Sequence, residues 1–353
     1  MKQWDLPTPA LILDKKIFDQ NRAAMRTLLA GSSLALRPHF KSHKCAAIAQ
    51  MQIADGAKGM TCAKLSEAED LALSGIEDIL IANQITDRAK LSRLAHLAGC
   101  CHLTVCVDCE ENVDALEAAC AAAQTEITCL VEFEIGMERC GVSDVSLALH
   151  LAKTIAQKEH LTFGGIQAYA GHLSHCEDAK ERTERTNENA ARLRALLAAL
   201  AAQGTPAAIL SGGSTGTAAI KAKEGLYNEL QAGSYLFMDA TYRNLDLPFE
   251  NALFLLTTVV SVNDRMVVVD AGVKSCGVDQ GMPVPVGFSV EKVVASEEHF
   301  QLHAPDKKFR VGDKLLLLPA HCCSTVNLHE FLFLTEDERV KDRFSVTSRG
   351  RFC

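Results

Sequence analysis

Aromatic residues make up only 5% of the 353-residue chain, with a single tryptophan among them. No apolar run approaches the ~20 residues that span a bilayer, and no basic run offers a seat for a polyanion. The formal charge is −8, so neither a membrane nor a nucleic acid is expected as a partner. The opening residues, Met1-Lys-Gln-Trp-Asp-Leu-Pro-Thr-Pro9, contain no signal-peptide apolar stretch, and the cytoplasm is the expected location. Fourteen cysteines are enough for a disulfide framework, but their placement speaks against one. Cys100-Cys101 and Cys322-Cys323 are adjacent pairs, and Cys62, Cys106 and Cys129 fall inside apolar strand-like runs. Reduced, buried thiols are expected.

What is present is enough for a core: 48% of the residues are apolar. The length suggests one large domain and a smaller one. From about Leu34 to Tyr235 a short apolar strand, a polar turn and an amphipathic helix recur. The strands are expected at Leu34–Phe40, Ala57–Ala63, Asp78–Ile85, His102–Asp108, Ile127–Ile135, Thr162–Tyr169, Ala207–Ser211 and Glu229–Tyr235. Ala-rich helices lie between them, as at Lys64–Ser74, Asp87–Ala98, Glu110–Ala123 and Glu177–Ala202. This alternation predicts an α/β fold, a closed (β/α)8 barrel over residues 14–246, with an open doubly wound sheet as the alternative. After Leu247-Pro248 the texture turns to strands and turns, such as Leu253–Val262 and Lys314–Leu318. Residues 247–353, joined by the short strand within 1–13, are expected to form a mostly-β domain. Asp14 has the chemistry of a helix cap.

Strand residues alternate between faces. In Leu36-Arg37-Pro38-His39-Phe40-Lys41 this puts Arg37, His39 and Lys41 on one face, at the barrel end where catalytic groups gather. A lysine crowded by other cations and partly desolvated can attack a carbonyl as the free amine, which makes Lys41 the candidate Schiff-base lysine. Glu132 and Glu134 share a face of the fifth strand, either balancing Arg37 or forming structural ion pairs. Arg139 follows them. Gln167 and Tyr169 end the sixth strand, and His172 and His175 in the next loop could serve as acid–base groups. Gly/Ser loops follow strands seven and eight, at Ser211–Thr217 and Gly233-Ser234-Tyr235; both stand where barrels seat a phosphate. If His321-Cys322-Cys323 is extended, His321 and Cys323 face the same way and could grip a divalent metal.

These residues carry a family likeness. The motifs are Arg37-Pro-His-Phe-Lys41-Ser-His-Lys44, Arg139-Cys-Gly-Val142, Gln167-Ala-Tyr169, Gly212-Gly-Ser-Thr-Gly216 and Glu229-Leu-Gln-Ala-Gly-Ser-Tyr235. Asp270-Ala-Gly272, Glu297-Glu-His299 and Pro319-Ala-His-Cys-Cys323 extend the likeness into the second domain. The chain resembles the D-threonine aldolase and D-serine dehydratase group of alanine-racemase-fold pyridoxal enzymes, nearly from end to end. The resemblance implies pyridoxal 5′-phosphate on Lys41, with Arg139 and Tyr169 around its ring. It also implies that Gly213, Ser214, Thr215, Gly233, Ser234 and Tyr235 hold the phosphate. A divalent metal, zinc or manganese, would fall on His321 and Cys323, with His175 near it, and the group is typically homodimeric.

Two signatures are mixed. Cysteine as the second metal ligand is the habit of the dehydratases, and a thiolate favours zinc. Phe237-Met-Asp239 and Val326-Asn-Leu-His329 lean towards the aldolases. Retro-aldol cleavage of a D-β-hydroxy amino acid, such as D-threonine to glycine and acetaldehyde, is the leading expectation, with Lys41 and His175 as catalytic residues. Dehydration of D-serine or D-3-hydroxyaspartate is the alternative. An amino-acid racemase and a non-catalytic pyridoxal-phosphate carrier stand behind these two.

Overall fold

Eight short, mostly buried strands give the periodicity its structural meaning. The computed structural model, which describes all 353 residues, sets β2 (Ala35–Leu36), β3 (Met60–Cys62), β4 (Asp78–Ile81) and β5 (His102–Val107) beside β6 (Ile127–Glu132), β7 (Leu161–Ala168), β8 (Ile209–Gly212) and β9 (Glu229–Leu230). Every pairing among them is parallel and joins consecutive strands, and β9 returns to pair with β2. Between β2 and β3 the ring is completed by a parallel bridge from His39 to Thr61 and by Thr61 N–H donating to Pro38 O at 2.9 Å. The result is the (β/α)8 barrel, not the open sheet.

The connecting helices show why the sequence folds this way. In α4 (Arg88–Ala98) the buried residues are Leu91, Leu94 and Ala95, and in α6 (Val145–Ala156) they are Ala148, Leu151, Ala152 and Ile155. These are helical spacings, one apolar stripe per helix. Each helix starts on a carboxylate cap: Asp87 accepts from Lys90 N–H and Asp144 from Leu147 N–H, both at 3.0 Å, satisfying backbone donors that the first turn leaves free. The helix α5 spans Glu110–Ala123 and α7 spans Ala179–Ala202.

The chain divides into two compact units. The barrel unit comprises Arg26–Lys41, Ala49–Gly233 and Arg351–Cys353; the second comprises Met1–Met25, Ser42–Ile48 and Ser234–Gly350. The second unit is built on a nine-stranded sheet. Its strand β1 (Ala10–Asp14) lies antiparallel to β10 (Leu253–Val262) and parallel to β16 (Phe331–Glu336). Thus the first strand of the chain is zipped into its last third. Leu6, Ile12 and Leu256 form an apolar cluster there, with Trp4, Phe254, Leu316 and Phe333 packed against it. Asp14 caps the following helix by accepting from Ile17 N–H at 3.0 Å.

Two expectations need correction. The first barrel strand ends at Leu36 rather than Phe40. Pro38 has no N–H to offer a ladder, and residues Phe40–Ser42 instead form a 3₁₀ turn. The segment after His321 is also not extended: Cys322–Val326 is a short helix, α9, with His321 at its cap. All fourteen cysteines are free, and no helix is long and apolar enough to cross a membrane.

Candidate active site

The barrel's C-terminal end holds a cavity of about 160 Å³. Lys41, carried there by the turn after β2, shares it with His39, Arg139, Gln167 and Tyr169. Lys41 Nζ stands 5.8 Å from the centre of the Tyr169 ring, and the Arg139 guanidinium stands 5.6 Å from the same centre. One aromatic wall therefore carries two cations, and the pocket is set to receive an anion. Lys41 faces a ring and not a carboxylate. His39 steadies the turn, its Nδ1 accepting from Lys41 N–H at 3.4 Å. The polar floor is a linked set: Gln231 donates to Gln167 Oε1 and Ser211 Oγ, each at 2.9 Å.

Arg139 is half-exposed, its nearest carboxylate being Glu132 at 3.8 Å. Burial pushes the Glu132 carboxyl up, a shift that its hydrogen bond from Gln84 (2.7 Å) and the Arg139 charge offset in part. Glu134 behaves oppositely. Burial would raise it, but the N–H groups of Glu138 and Gly136 hold it below the usual carboxylate range. Glu134 thus secures a loop through backbone N–H groups rather than through the structural ion pair expected of it.

Arg37 does not belong to this cavity, contrary to the face-alternation argument. It is 1% exposed and turns to the opposite end of the barrel, bonded to Glu229 at 2.9 and 3.0 Å and to Asp78 at 2.8 and 3.0 Å. Asp78 and Glu229 are the first residues of β4 and β9. Parallel pairing continues past β2, with Arg37 N–H donating to Leu230 O at 2.9 Å and His39 N–H to Ala232 O at 3.2 Å, so alternation gives Arg37 a face but not the barrel end that its long side chain reaches. Glu132 and Glu134 do not balance Arg37.

The other residues singled out lie in several places. His175 is half-buried in the loop after β7 and is not among the residues lining the cavity. Gly213, Ser214 and Thr215 follow β8. Gly213 has φ +74°, a left-handed backbone that favours glycine, and a Cβ there would press on Leu230 Cδ1 at 2.8 Å. Ser214 N–H donates to Thr217 Oγ1 at 3.1 Å, closing a tight turn. Gly233 is buried at the end of the barrel unit, and Ser234 and Tyr235 open the next stretch of the second unit. There Ser234 O accepts from Met238 N–H at 2.7 Å, and the Tyr235 ring packs on Phe249 with centres 5.7 Å apart.

His321 and Cys323 are brought together at the start of α9. His321 Nδ1 lies 2.6 Å from Asp279 Oδ2, and Cys323 Sγ lies 3.4 Å from Ser42 Oγ. Burial would lower the His321 pKa, but Cys323 and Asp279 outweigh it and raise it to about 9. No group of three or more His, Cys, Asp or Glu side chains gathers to hold a metal. An imidazole and a thiol two residues apart nevertheless make a donor pair that suits zinc, with positions left for solvent or substrate.

Asn83, Gln231 and Asp279 escaped the sequence reading. Asn83 lies just past β4 and Gln231 just past β9, so asking which polar side chain follows each barrel strand would have found both. For Asp279, no sequence signal exists.

A primary amine, an aromatic wall, a nearby cation and a glycine-pinched loop after β8 fit a pyridoxal phosphate. A (β/α)8 barrel with a lysine at this end, followed by a β-rich unit, defines the alanine-racemase class of pyridoxal enzymes. The chain belongs to the alanine racemase N-terminal domain family, whose model matches residues 13–241, while the serine dehydratase domain model matches residues 252–335. It is an enzyme, and its family implies pyridoxal phosphate as cofactor. It is 40% identical to a D-threonine aldolase of Arthrobacter sp. over 97% of this chain and 93% of that one. It is 36% identical to a 3-hydroxy-D-aspartate aldolase of Paracoccus denitrificans over 99% and 94%. The crystal structure of a D-threonine aldolase from Filomicrobium marinum superposes with a TM-score of 0.94 at 39% identity, covering 98% of this chain and 96% of that one. Dehydratases are more distant, at 27% identity over 91% of this chain and 92% of that one for a D-threo-3-hydroxyaspartate dehydratase of Delftia sp..

Proposed function

We propose that the enzyme is a lyase that cleaves the Cα–Cβ bond of D-β-hydroxy amino acids, D-threonine giving glycine and acetaldehyde. The observation that carries this reading is the whole-length similarity to aldolases at 36% and 40% identity, against 27% for a dehydratase. The cofactor supplies an electron sink for the charge left at Cα, and a divalent metal supplies Lewis acidity to the β-hydroxyl. Lys41 is the amine that holds the cofactor. Tyr169 and Arg139 flank the ring, and the positive charge of Arg139 draws the substrate carboxylate to the cavity. Gly213, Ser214, Thr215, Gly233, Ser234 and Tyr235 hold the phosphate, with Gly213 allowing close backbone approach. His175 takes the β-hydroxyl proton on its imidazole. His321 and Cys323 hold the metal, and their donor set favours zinc over manganese. The enzyme works as a cytoplasmic homodimer.

A second reading is β-elimination from D-serine or D-3-hydroxyaspartate. Cys323 favours it, because a cysteine as second metal ligand resembles the dehydratase signature, and the chain is 27% identical to a D-threo-3-hydroxyaspartate dehydratase. Product analysis with D-threonine and D-serine decides between them, using cofactor-loaded protein with zinc or manganese, before and after chelation. Glycine and acetaldehyde from D-threonine, lost on chelation, are expected. Pyruvate and ammonia from D-serine, without glycine from D-threonine, would overturn the aldolase reading.

A further inference from the structure

His321 is held from behind by the segment Gly277-Val278-Asp279, which the proposed chemistry does not use. Asp279 Oδ2 lies 2.6 Å from its Nδ1. The other oxygen of Asp279 accepts from Ser324 Oγ at 2.5 Å, and Ser324 lies on α9, just after the His-Cys pair. Thr325, on the same helix, donates to His321 O at 2.8 Å and accepts from Gly277 N–H at 3.1 Å. Gly277 itself must be glycine, because a Cβ there would run into Ser324 Oγ. The stretch Gly277-Val278-Asp279 is therefore clamped to α9 at both of its ends, and both carboxylate oxygens of Asp279 are engaged.

We propose that Asp279 is the positioning residue of the metal pair. By engaging Nδ1 it keeps the imidazole proton on that nitrogen, fixes the ring plane and leaves the Nε2 lone pair as the metal donor. A carboxylate behind a ligating histidine also raises its basicity, and losing such a partner costs about 10- to 100-fold in metal affinity. Asp279 touches the ligand and not the metal. Ser324 orients Asp279 in turn, so three residues of one short helix and one loop form a single device. This inference rests on the reading that His321 and Cys323 bind the metal.

The test is zinc affinity of the cofactor-loaded, metal-stripped protein, measured by competition with a chromophoric chelator. Asp279→Ala is expected to weaken zinc about 10- to 100-fold. Asp279→Asn keeps an oxygen for the Nδ1 proton and is expected to weaken it less; it also carries the test if the alanine variant does not fold. With saturating cobalt(II), the thiolate-to-cobalt charge-transfer absorption should persist in Asp279→Ala and vanish in Cys323→Ala. Wild-type affinity in both Asp279 variants, with loss in Cys323→Ala, would overturn the role of Asp279 and leave the metal pair standing. Loss of the charge-transfer band in Asp279→Ala would also overturn the positioning role. A wild-type protein that binds no zinc, or a Cys323→Ala that binds it as well as wild type, would overturn the metal reading and this inference with it.

Discussion

The two ends of the barrel treat their cations in opposite ways. At the N-terminal end, Arg37 is shut away from solvent and shares all its hydrogen-bonding edges between Glu229 and Asp78, while Lys58 adds a 2.7 Å bond to Glu229 and His102 a 3.2 Å contact to Asp78. At the C-terminal end, Lys41, four residues beyond Arg37, and Arg139, from the loop after β6, flank a tyrosine ring beside a cavity. A buried charge that is fully paired is fixed and chemically idle, and removing its partner is costly. A cation set beside a cavity and an aromatic face remains available to a ligand. The comparison separates structural from chemical cations by what surrounds them rather than by residue type.

That contrast can be broken from either end. The largest effect in the chemistry beyond Lys41 itself is expected at the C-terminal end: His175→Ala should lower turnover about 10²- to 10⁴-fold while the bound cofactor's absorbance is retained. Unchanged turnover would remove His175 from the mechanism. At the other end, Arg37→Met should cost about 3–5 kcal/mol of stability, the range for a buried pair stripped of one partner, read by urea denaturation. Turnover per folded molecule should stay the same. A loss of turnover without a loss of stability would place Arg37 in the site after all.

Acid gives the smaller effect and sharpens the same point. Burial would raise Asp78 and Glu229 above their ordinary 3.8 and 4.5, but the hydrogen bonds and charge of Arg37 hold both below those values. Groups so depressed contribute stability that is present above the unfolded values and lost as pH falls through the folded ones. Arg37→Met leaves the carboxylates buried without their guanidinium, so protonation should relieve the variant. The stability gap between wild type and variant should therefore begin to narrow while the pH is still above the ordinary carboxylate values, where the variant's carboxyls first protonate, and continue as it falls through the wild type's depressed ones. A gap independent of pH would mean that Arg37 stabilises by packing alone.

The same segment shows how far the sequence could be read. The barrel was legible because strand and helix periods differ sharply: α5 falls at Glu110–Ala123 and β10 at Leu253–Val262, both as expected. The shared place of Lys41 and Tyr169 at one cavity was legible because both lie just past a barrel strand, where side chains reach the barrel's mouth. Arg37 was misread because its partners, Asp78 and Glu229, lie 41 and 192 residues away, and alternation gives a face of the strand but not the end of the barrel that a long side chain serves. Asp279 was illegible for the same reason, since its partner His321 is 42 residues distant. The strands Val284–Pro285, Lys292–Ala295 and Phe300–His303 were also missed. Their residues are mostly half-exposed, so they carry little of the apolar signal that marks a strand.

Lys41 as the lysine that carries the cofactor is the central claim, and it is the lysine that lines the barrel cavity. Borohydride reduction of the cofactor-loaded protein, followed by peptide mass mapping, tests it most directly. A pyridoxyl adduct on Lys41 alone is expected. An adduct on Lys44, Lys64 or Lys221, with Lys41 unmodified, would contradict it.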